Sequence, residues 1–271
     1  MSVGERRVRF RELHAARDLF VMPNPWDVGS ARLLASWGFQ ALATTSAGYA
    51  WVLGKLDTQV SRDELVAHVA TIAAATPLPL NVDSERCYPD DPGGVAETVT
   101  LLAEAGAAGC SIEDWDPATS RIDDLEVAAE RVALAVEAAH GLADPMVLTA
   151  RAENHLHGID DLDDTMARLV AYRDAGADCV YAPWLRDLDE IAAVVQVVGV
   201  PVNVLAVPGG PTIAELASVG VRRVSTGSLL AAAAYGALAE GARELLSEGT
   251  SSYAERRVSR EELQAALGRR R

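Results

Sequence analysis

Short apolar runs rich in β-branched residues recur along the chain. The eight runs cover residues 19–23, 40–45, 78–83, 109–114, 146–151, 179–183, 200–205 and 222–227. Strands buried on both faces of a parallel sheet have this nearly continuous apolar pattern. The runs therefore predict eight strands.

The stretches between these runs have the spacing of amphipathic helices, most clearly in residues 95–105, 125–139 and 161–175. In the first of them, one face carries Val95, Val99, Leu102 and Ala103. Helical stretches that alternate with buried strands predict consecutive β-α units, and eight such units favour a (β/α)8 barrel that spans residues 1–271 as one domain. An open doubly wound sheet is the alternative. That fold predicts a phosphate-binding loop, but the sequence contains neither GxGxxG nor GxxxxGK[ST].

The chain continues beyond the eighth predicted strand. Residues 229–246 and 258–267 have helical patterns, and Ser259 with Glu262 forms a capping-box sequence before the second helix. We therefore treat residues 248–271 as a C-terminal helical extension.

The helix at 258–267 has an apolar face but no further strand to cover. We expect it to pack on a neighbouring subunit. The three arginines at 269–271 are expected to be solvent-exposed.

The composition of the chain limits which classes of molecule it is expected to bind. The chain has 24 Lys and Arg against 39 Asp and Glu, a net charge of −15, which disfavours nucleic acids and anionic membrane surfaces. Its three cysteines have no metal-binding spacing, and the N-terminal segment has no apolar signal-peptide core. We expect a soluble protein of the reducing cytoplasm.

Charged residues gather where predicted strands end, which is where barrel enzymes place their chemistry. Asp83 and Glu85 follow the third strand, and Glu113 ends the fourth. Carboxylates so close together raise each other's pKa unless a cation shares the site. Hard oxygen ligands suit Mg²⁺ or Mn²⁺. The alternative is that an arginine, Arg86 or Arg151, pairs with the cluster.

Other candidate residues are weaker. The backbone N–H groups of residues 45–48 are candidates for binding a carboxylate or a phosphate. His155 and His157 are either metal ligands or a base, or simply polar loop residues. Cys87 has no neighbouring histidine to activate its thiol. Residues 115–124 are a candidate mobile lid.

Six segments occur in an order that resembles the isocitrate lyase/phosphoenolpyruvate mutase superfamily. They are NPWD at 24–27, TTSAG at 44–48, DSE at 83–85, GCSIED at 109–114, AR at 150–151 and PVNV at 201–204. The resemblance extends from about residue 20 to residue 227. It implies a (β/α)8 barrel, Mg²⁺ and a 2-oxo, 2-hydroxy or enol carboxylate substrate. It also implies a homotetramer whose dimers exchange the eighth helix.

The resemblance also implies residue roles. Asp83 would contact the metal directly, and Asp57, Glu85 and Glu113 would act mainly through its bound waters. Arg151 would bind a substrate oxygen and stabilise an enolate.

Together with Glu113, Arg151 would carry catalysis. The substrate-binding set would consist of Ser46, Ala47, Gly48, Arg151 and Asn203, the last without a specific role.

Three departures from the family pattern narrow the activity. Family members commonly read D-x-[DE]-x-G-Y-G after the third strand, whereas here Glu85 is followed by Arg86-Cys87-Tyr88-Pro89. Both glycines are absent, so we expect a different loop path, with Arg86 as a candidate for the site. The lid motifs of the isocitrate lyases, the methylisocitrate lyases and the phosphonate-forming mutases are missing from residues 115–124. The usual R-x-D after the fifth strand reads R-A-E, ending at Glu153.

By elimination, we interpret the chain as a lyase that cleaves a C–C bond through a metal-bound enolate. Oxaloacetate-type decarboxylation and cleavage of a substituted malate both fit. P–C bond chemistry on phosphonopyruvate or phosphoenolpyruvate is one alternative, and a non-catalytic ligand-binding barrel is another.

Overall fold

The eight predicted strands form one parallel sheet in the computed structural model of the chain, which describes residues 1–268. The strands are β1 (Phe20–Met22), β2 (Leu42–Ala43), β3 (Leu80–Asp83), β4 (Gly109–Glu113), β5 (Trp115–Asp116), β6 (Arg121–Ile122), β7 (Val147–Arg151), β8 (Cys179–Tyr181), β9 (Val202–Leu205) and β10 (Arg223–Ser225). The order in the large sheet is β1-β10-β9-β8-β7-β4-β3-β2, and β5 and β6 form a separate antiparallel hairpin. The Ala43 N–H donates to the Pro23 carbonyl at 3.1 Å, which brings β2 back to the β1 side and closes the barrel.

Helices connect the strands and cover the barrel. They are α1 (Val3–Ala15), α2 (Val28–Ser36), α3 (Ser46–Val52), α4 (Arg62–Ala75), α5 (Gly94–Glu104), α6 (Leu125–His140), α7 (Leu162–Asp174), α8 (Leu188–Val198), α9 (Ile213–Ser218), α10 (Leu229–Ser247) and α11 (Arg260–Leu267). The predicted helical face of α5 is confirmed, since Val95, Val99, Leu102 and Ala103 are all buried. The capping box of Ser259 and Glu262 at α11 is also confirmed.

The N-terminal helix α1 closes one end of the barrel. Its Phe10 and Leu13 are buried in a cluster with residues of β1 and β7, including Phe20 and Val147. The Arg7 guanidinium donates to the carbonyls of Ala103 and Ala107 near the end of α5, which binds the helix to the barrel. The apolar residues of α1 thus fill the barrel end opposite the carboxyl ends of the strands.

The C-terminal helix α11 lies against α2 of its own chain, with Ala266 buried. The rest of its predicted apolar face, Val258, Leu263 and Leu267, is 37–42% exposed, so packing of this face on a neighbouring subunit stays a prediction. The short 3₁₀ turn Ser252–Arg256 separates α10 from α11, and the chain after it meets the outer surface of α2. Helix α10 also has exposed apolar residues, with Leu238 at 67% and Leu246 at 90% exposure. The arginines 269–271 lie outside the described residues.

The three cysteines form no disulfide. Cys87, Cys110 and Cys179 are free and buried. Within residues 1–268, no helix combines the length and the apolar composition needed to cross a membrane.

Candidate active site

A cavity of about 190 Å³ opens at the carboxyl ends of the strands and extends into the barrel. Six of the residues assigned from the sequence line it: Ser46, Ala47, Asp57, Asp83, Arg151 and Asn203. Glu85 and Glu113 are not lining residues, but Glu113 Oε2 lies 3.1 Å from Arg151 Nη1, and the Asp57 and Asp83 carboxylates act on the charge of Glu85. Gly48 is buried and does not line the cavity either. The predicted strand-end residues therefore converge.

Arg151 is the centre of the charged cluster. Its Nη1 donates to Asp83 Oδ1 at 2.5 Å and lies 3.1 Å from Glu113 Oε2, and its Nε lies 2.9 Å from Glu153 Oε1. The guanidinium also lies over the Tyr181 ring, 5.4 Å from its centroid. Burial disfavours the charged form of Arg151, but the three carboxylates outweigh burial and raise its pKa well above the ordinary value. Of the two arginines considered from the sequence, Arg151 is the one that pairs with the cluster.

One arginine does not balance the carboxylates around it. Burial, reinforced by the Asp57 and Asp83 carboxylates, raises the pKa of Glu85 to about 8. Loss of hydration and the neighbouring Asp83 likewise raise the pKa of Asp57. Burial raises the pKa of Glu113 well above its usual range, and Arg151 only partly opposes this. The region favours an additional cation.

The donor set fits a hard dication. No three Asp, Glu, His or Cys side chains within residues 1–268 converge as a ready-made cage. Mg²⁺ commonly binds proteins through one or two carboxylates and keeps several waters. Asp83, with Asp57, Glu85 and Glu113 near enough to hold waters, suits that kind of site better than an all-protein cage.

The turn at residues 45–48 joins the cavity wall to Asp83. Thr45 is the N-cap of α3 and accepts the Gly48 N–H at 3.2 Å, while the Ser46 N–H donates to Asp83 Oδ2 at 3.0 Å. A Cβ at position 48 would lie 2.6 Å from Thr45 Cγ2, so the turn requires glycine. Gly48 shapes this turn, and Ser46 and Ala47 are the members of the predicted set that face the cavity.

The loop after β3 places Arg86 differently from the sequence-based expectation. Its guanidinium pairs with Asp116 at 2.9 Å and with Asp123 at 3.2 Å, on the hairpin side, so it is bound away from the carboxylate cluster. Cys87 and Tyr88 have φ of 57° and 47°. Cys87 stands where the family pattern has glycine and keeps a left-handed conformation that glycine adopts easily. Loss of that glycine has not moved residue 87 out of the left-handed region.

The candidate lid at 115–124 contains the β5–β6 hairpin, and ion pairs hold it. Asp123 pairs with Arg86 and with Arg131, and the Trp115 ring stacks on His157 with centroids 3.4 Å apart. His157 in turn lies 3.9 Å from Glu153 Oε2. These contacts connect the hairpin to Glu153, the carboxylate that pairs with Arg151 Nε.

Asp114 accepts a hydrogen bond from the backbone of Glu153, and the sequence analysis gave it no role. Its side chain is 1% exposed and accepts the Glu153 N–H at 2.9 Å and the Tyr172 hydroxyl at 2.5 Å. Arg168 pairs with the same carboxylate at 3.2 Å. The two adjacent acids at the end of β4 therefore have different contacts. Glu113 contacts Arg151, and Asp114 positions the backbone of Glu153.

Asn24 is a second residue whose structural role the sequence analysis did not predict. Its Nδ2 donates to the Thr44 carbonyl at 2.6 Å, and its Oδ1 accepts the N–H groups of Thr226 and Gly227 at 2.9 and 3.0 Å. It therefore links the ends of β1, β2 and β10 at the rim of the cavity. The NPWD segment was the signal for it.

A parallel barrel that gathers a buried arginine and several carboxylates at the carboxyl ends of its strands has the arrangement of a barrel enzyme. Comparisons with known proteins agree. The sequence model of the phosphoenolpyruvate phosphomutase family matches residues 10–246. An uncharacterized protein of Mycobacterium tuberculosis is 38% identical over 95% of both chains. The oxaloacetate decarboxylase of Paraburkholderia xenovorans is 32% identical over 82% of this chain and 75% of its own.

Solved structures show the same relationship. A protein of Burkholderia cenocepacia J2315, provisionally described as a lyase or mutase, is 50% identical, covers 97% of this chain and 95% of its own, and has a TM-score of 0.92. An oxaloacetate acetylhydrolase bound to its product oxalate is 26% identical over 97% of this chain and 94% of its own, with a TM-score of 0.85.

The chain belongs to the phosphoenolpyruvate phosphomutase family, within the isocitrate lyase/phosphoenolpyruvate mutase superfamily. It is therefore an enzyme of the lyase and mutase type, and lyases of this family generally use Mg²⁺.

Proposed function

We propose that this enzyme is a Mg²⁺-dependent lyase that cleaves a C–C bond of a 2-oxo or 2-hydroxy mono- or dicarboxylate through an enolate. The observation that carries the proposal is the position of Arg151. Its guanidinium lies in the cavity wall, 2.5 Å from Asp83, within a cluster that favours one more cation. A cation and a guanidinium on the same cavity suit a reaction in which negative charge develops on oxygen.

The proposal gives the chain's residues the roles that the family resemblance implies. Asp83 would hold Mg²⁺ or Mn²⁺ directly, with Asp57, Glu85 and Glu113 acting on its waters. When bound, the ion would supply Lewis-acid polarisation of the substrate oxygen. Arg151 donates to the oxygen that becomes the enolate, and its carboxylate partners keep it charged and oriented.

The rest of the lining holds the substrate. Ser46 and Ala47, which line the cavity, would hold a substrate carboxylate, and Asn203 would add a buried amide from β9.

The missing lid motifs favour C–C cleavage of a substrate unlike isocitrate, and the oxaloacetate decarboxylase and acetylhydrolase relatives support that choice. The family description keeps P–C chemistry on phosphonopyruvate or phosphoenolpyruvate as the second candidate. The relatives named as a decarboxylase and an acetylhydrolase favour both over a non-catalytic barrel.

A substrate panel tests the proposal. Oxaloacetate, 2-methylmalate, 2,3-dimethylmalate and phosphonopyruvate are each incubated with the enzyme and Mg²⁺, and products are followed by proton and phosphorus NMR. We expect C–C cleavage of at least one carboxylate and its loss on chelation. Turnover of phosphonopyruvate alone, or full activity in excess chelator, would overturn the proposal.

We also propose that the enzyme is a homo-oligomer, a dimer or tetramer, in which α10 is the exchanged element. Along α10, only Ala231 and Gly241 are buried, which leaves an alanine- and leucine-rich helix largely without cover. Sedimentation should give a mass at least twice the 28.7 kDa of the chain, and a monomer at micromolar concentration would contradict this. The cytoplasmic location stays a prediction.

A further inference from the structure

A second arginine, Arg223, lies inside the barrel and differs from Arg151 in having no acidic partner. It is 2% exposed and lines the same cavity. Within residues 1–268, no Asp or Glu lies within ion-pair distance of it; its hydrogen-bond partners are Asn203 Oδ1 at 2.9 Å and His14 Nε2 at 3.1 Å. Burial lowers the pKa of Arg223, in contrast to Arg151.

Hydrogen bonding fixes the orientation of the groups around Arg223. A guanidinium only donates, so Asn203 must present its oxygen to Arg223 and its amide N–H₂ elsewhere. That amide donates to Ser225 Oγ at 2.9 Å. His14 accepts from Arg223 through Nε2 and donates through Nδ1 to the Phe10 carbonyl at 2.8 Å, so its ring is neutral. We call His14, Asn203, Arg223 and Ser225 the lower polar layer.

The lower polar layer is continuous with the proposed catalytic residues. Arg151, Tyr181, Asn203 and Arg223 occupy successive register positions on β7, β8, β9 and β10, and all four line the cavity. Arg151 contacts the strand-end carboxylates of Asp83 and Glu113, whereas Arg223 donates to His14 of α1, the helix at the opposite end of the barrel, so the two guanidinium groups lie at different depths.

A buried cation without a counter-charge is costly unless a ligand compensates it. The polar atoms fixed on Arg223 are an amide and a neutral imidazole, and neither neutralises it. The same cavity, of about 190 Å³, is lined by Arg223 and also by Ser46, Ala47 and Arg151. It therefore suits a small acid with two charged ends.

We propose that Arg223 is a substrate-binding residue, which neutralises the second carboxylate of a dicarboxylate substrate from the lower polar layer of the cavity. This inference rests on the proposed function, because it places the first carboxylate and the reacting oxygen at Ser46, Ala47 and Arg151. It selects diacids over monoacids within the substrate class.

The test compares an acid with its diacid analogue. Binding of L-malate and of L-lactate, two 2-hydroxy acids, is measured by calorimetry with saturating Mg²⁺. Wild-type protein should bind malate more tightly. In Arg223→Met, malate binding should weaken by about 10- to 100-fold, the range for one hydrogen bond to a charged group, while lactate binding stays within about twofold.

Two further variants keep the test decisive. Asn203→Asp preserves the shape of the layer and gives Arg223 an internal carboxylate, so malate binding should weaken in this variant as well. This variant can be measured even if Arg223→Met fails to fold. Arg222→Met removes the same charge from the neighbouring position, where the side chain donates to the Ala16 carbonyl on the outer surface. This variant should bind malate and lactate as the wild type does.

Equal loss of malate and lactate in Arg223→Met, or unchanged malate in Asn203→Asp, would overturn the assignment of Arg223 while leaving the proposed lyase intact. Wild-type protein that binds neither acid with Mg²⁺ would instead overturn the proposed function, and this inference with it.

Discussion

The two arginines inside the barrel have opposite surroundings. Arg151 contacts the carboxylates of Asp83, Glu113 and Glu153, which raise its pKa well above the ordinary value. Arg223 contacts an amide and a neutral imidazole, and burial lowers its pKa. One end of the cavity has too many negative charges for its arginine, and the other has a positive charge without a partner.

The difference shows what each end lacks. The upper end, around Arg151, is completed by a dication. The lower end, around Arg223, is completed by an anion. A metal-bound dicarboxylate would supply both charges in one ligand, which is how a protein of net charge −15 can bind an anionic substrate.

The largest expected effect comes from Arg151→Lys. A forked guanidinium serves several oxygens at once, and an ammonium cannot reproduce that geometry. We expect turnover to fall by about 10²- to 10³-fold, the usual loss when one preorganised donor is removed, while Mg²⁺ binding remains. Steady-state kinetics and thermal melting are measured together.

Arg62→Lys is the matched control, because Arg62 is a buried arginine that donates to the Pro92 carbonyl outside the cavity. A large drop in melting temperature with near-normal turnover per folded Arg151→Lys molecule would mean that Arg151 only neutralises its carboxylate neighbours.

Asp83→Ala tests the upper end through the metal. Asp83 is the carboxylate that both lines the cavity and contacts Arg151. Changes in the outer shell of a metal site commonly cost about 10- to 100-fold in affinity, so loss of a direct ligand should cost at least that much. Mg²⁺ titration by calorimetry gives the affinity. The exposed Asp174→Ala should bind Mg²⁺ as wild type does, and equal affinity in both variants would rule out Asp83 as the ligand.

His14→Gln probes the lower end through pH. Burial, with Arg223 adding to it, lowers the pKa of His14 from 6.5 to about 3. Between these values the unfolded state binds more protons, so stability is fully present above pH 6.5 and falls as pH drops towards 3. Each pH unit costs up to about 1.4 kcal/mol.

Urea unfolding at pH 7 and pH 4.5 measures the free energy of unfolding. Between pH 7 and pH 4.5, the free energy of unfolding of the wild type should fall by roughly 2–3 kcal/mol more than that of His14→Gln. His140→Gln, at an exposed histidine, should behave as wild type. Identical acid losses in wild type and His14→Gln would mean that His14 is not held neutral by its surroundings.

The comparison of the two arginines also shows what sequence can and cannot reveal. Arg151 was predictable because it ends an apolar strand, and strand ends meet at one edge of a parallel barrel. Arg222 and Arg223 are adjacent at the start of β10, and only the strand register decides which of them points inward. The sequence contains no signal for that choice.

The fold was predictable wherever periodicity was strong, as in the strands and in helix α5. Helix α1 escaped prediction because its arginines resemble a solvated segment, whereas Arg7 donates to helix-end carbonyls and Phe10 is buried. The loop after β3 shows a different limit. The sequence records that Arg86 lies next to Glu85, but the side of the loop it faces depends on Asp116 and Asp123 in the later hairpin.

The central claim is that the upper end of the cavity stabilises an enolate with a bound dication. Exchange of the pyruvate methyl protons with deuterium oxide, followed by NMR, tests it most directly because it needs neither the natural substrate nor bond cleavage. We predict exchange with Mg²⁺, none in excess chelator, and a loss of about 10²-fold or more in Arg151→Lys. Exchange that persists in chelator, or no exchange in fully folded Mg²⁺-bound wild type, would contradict the claim.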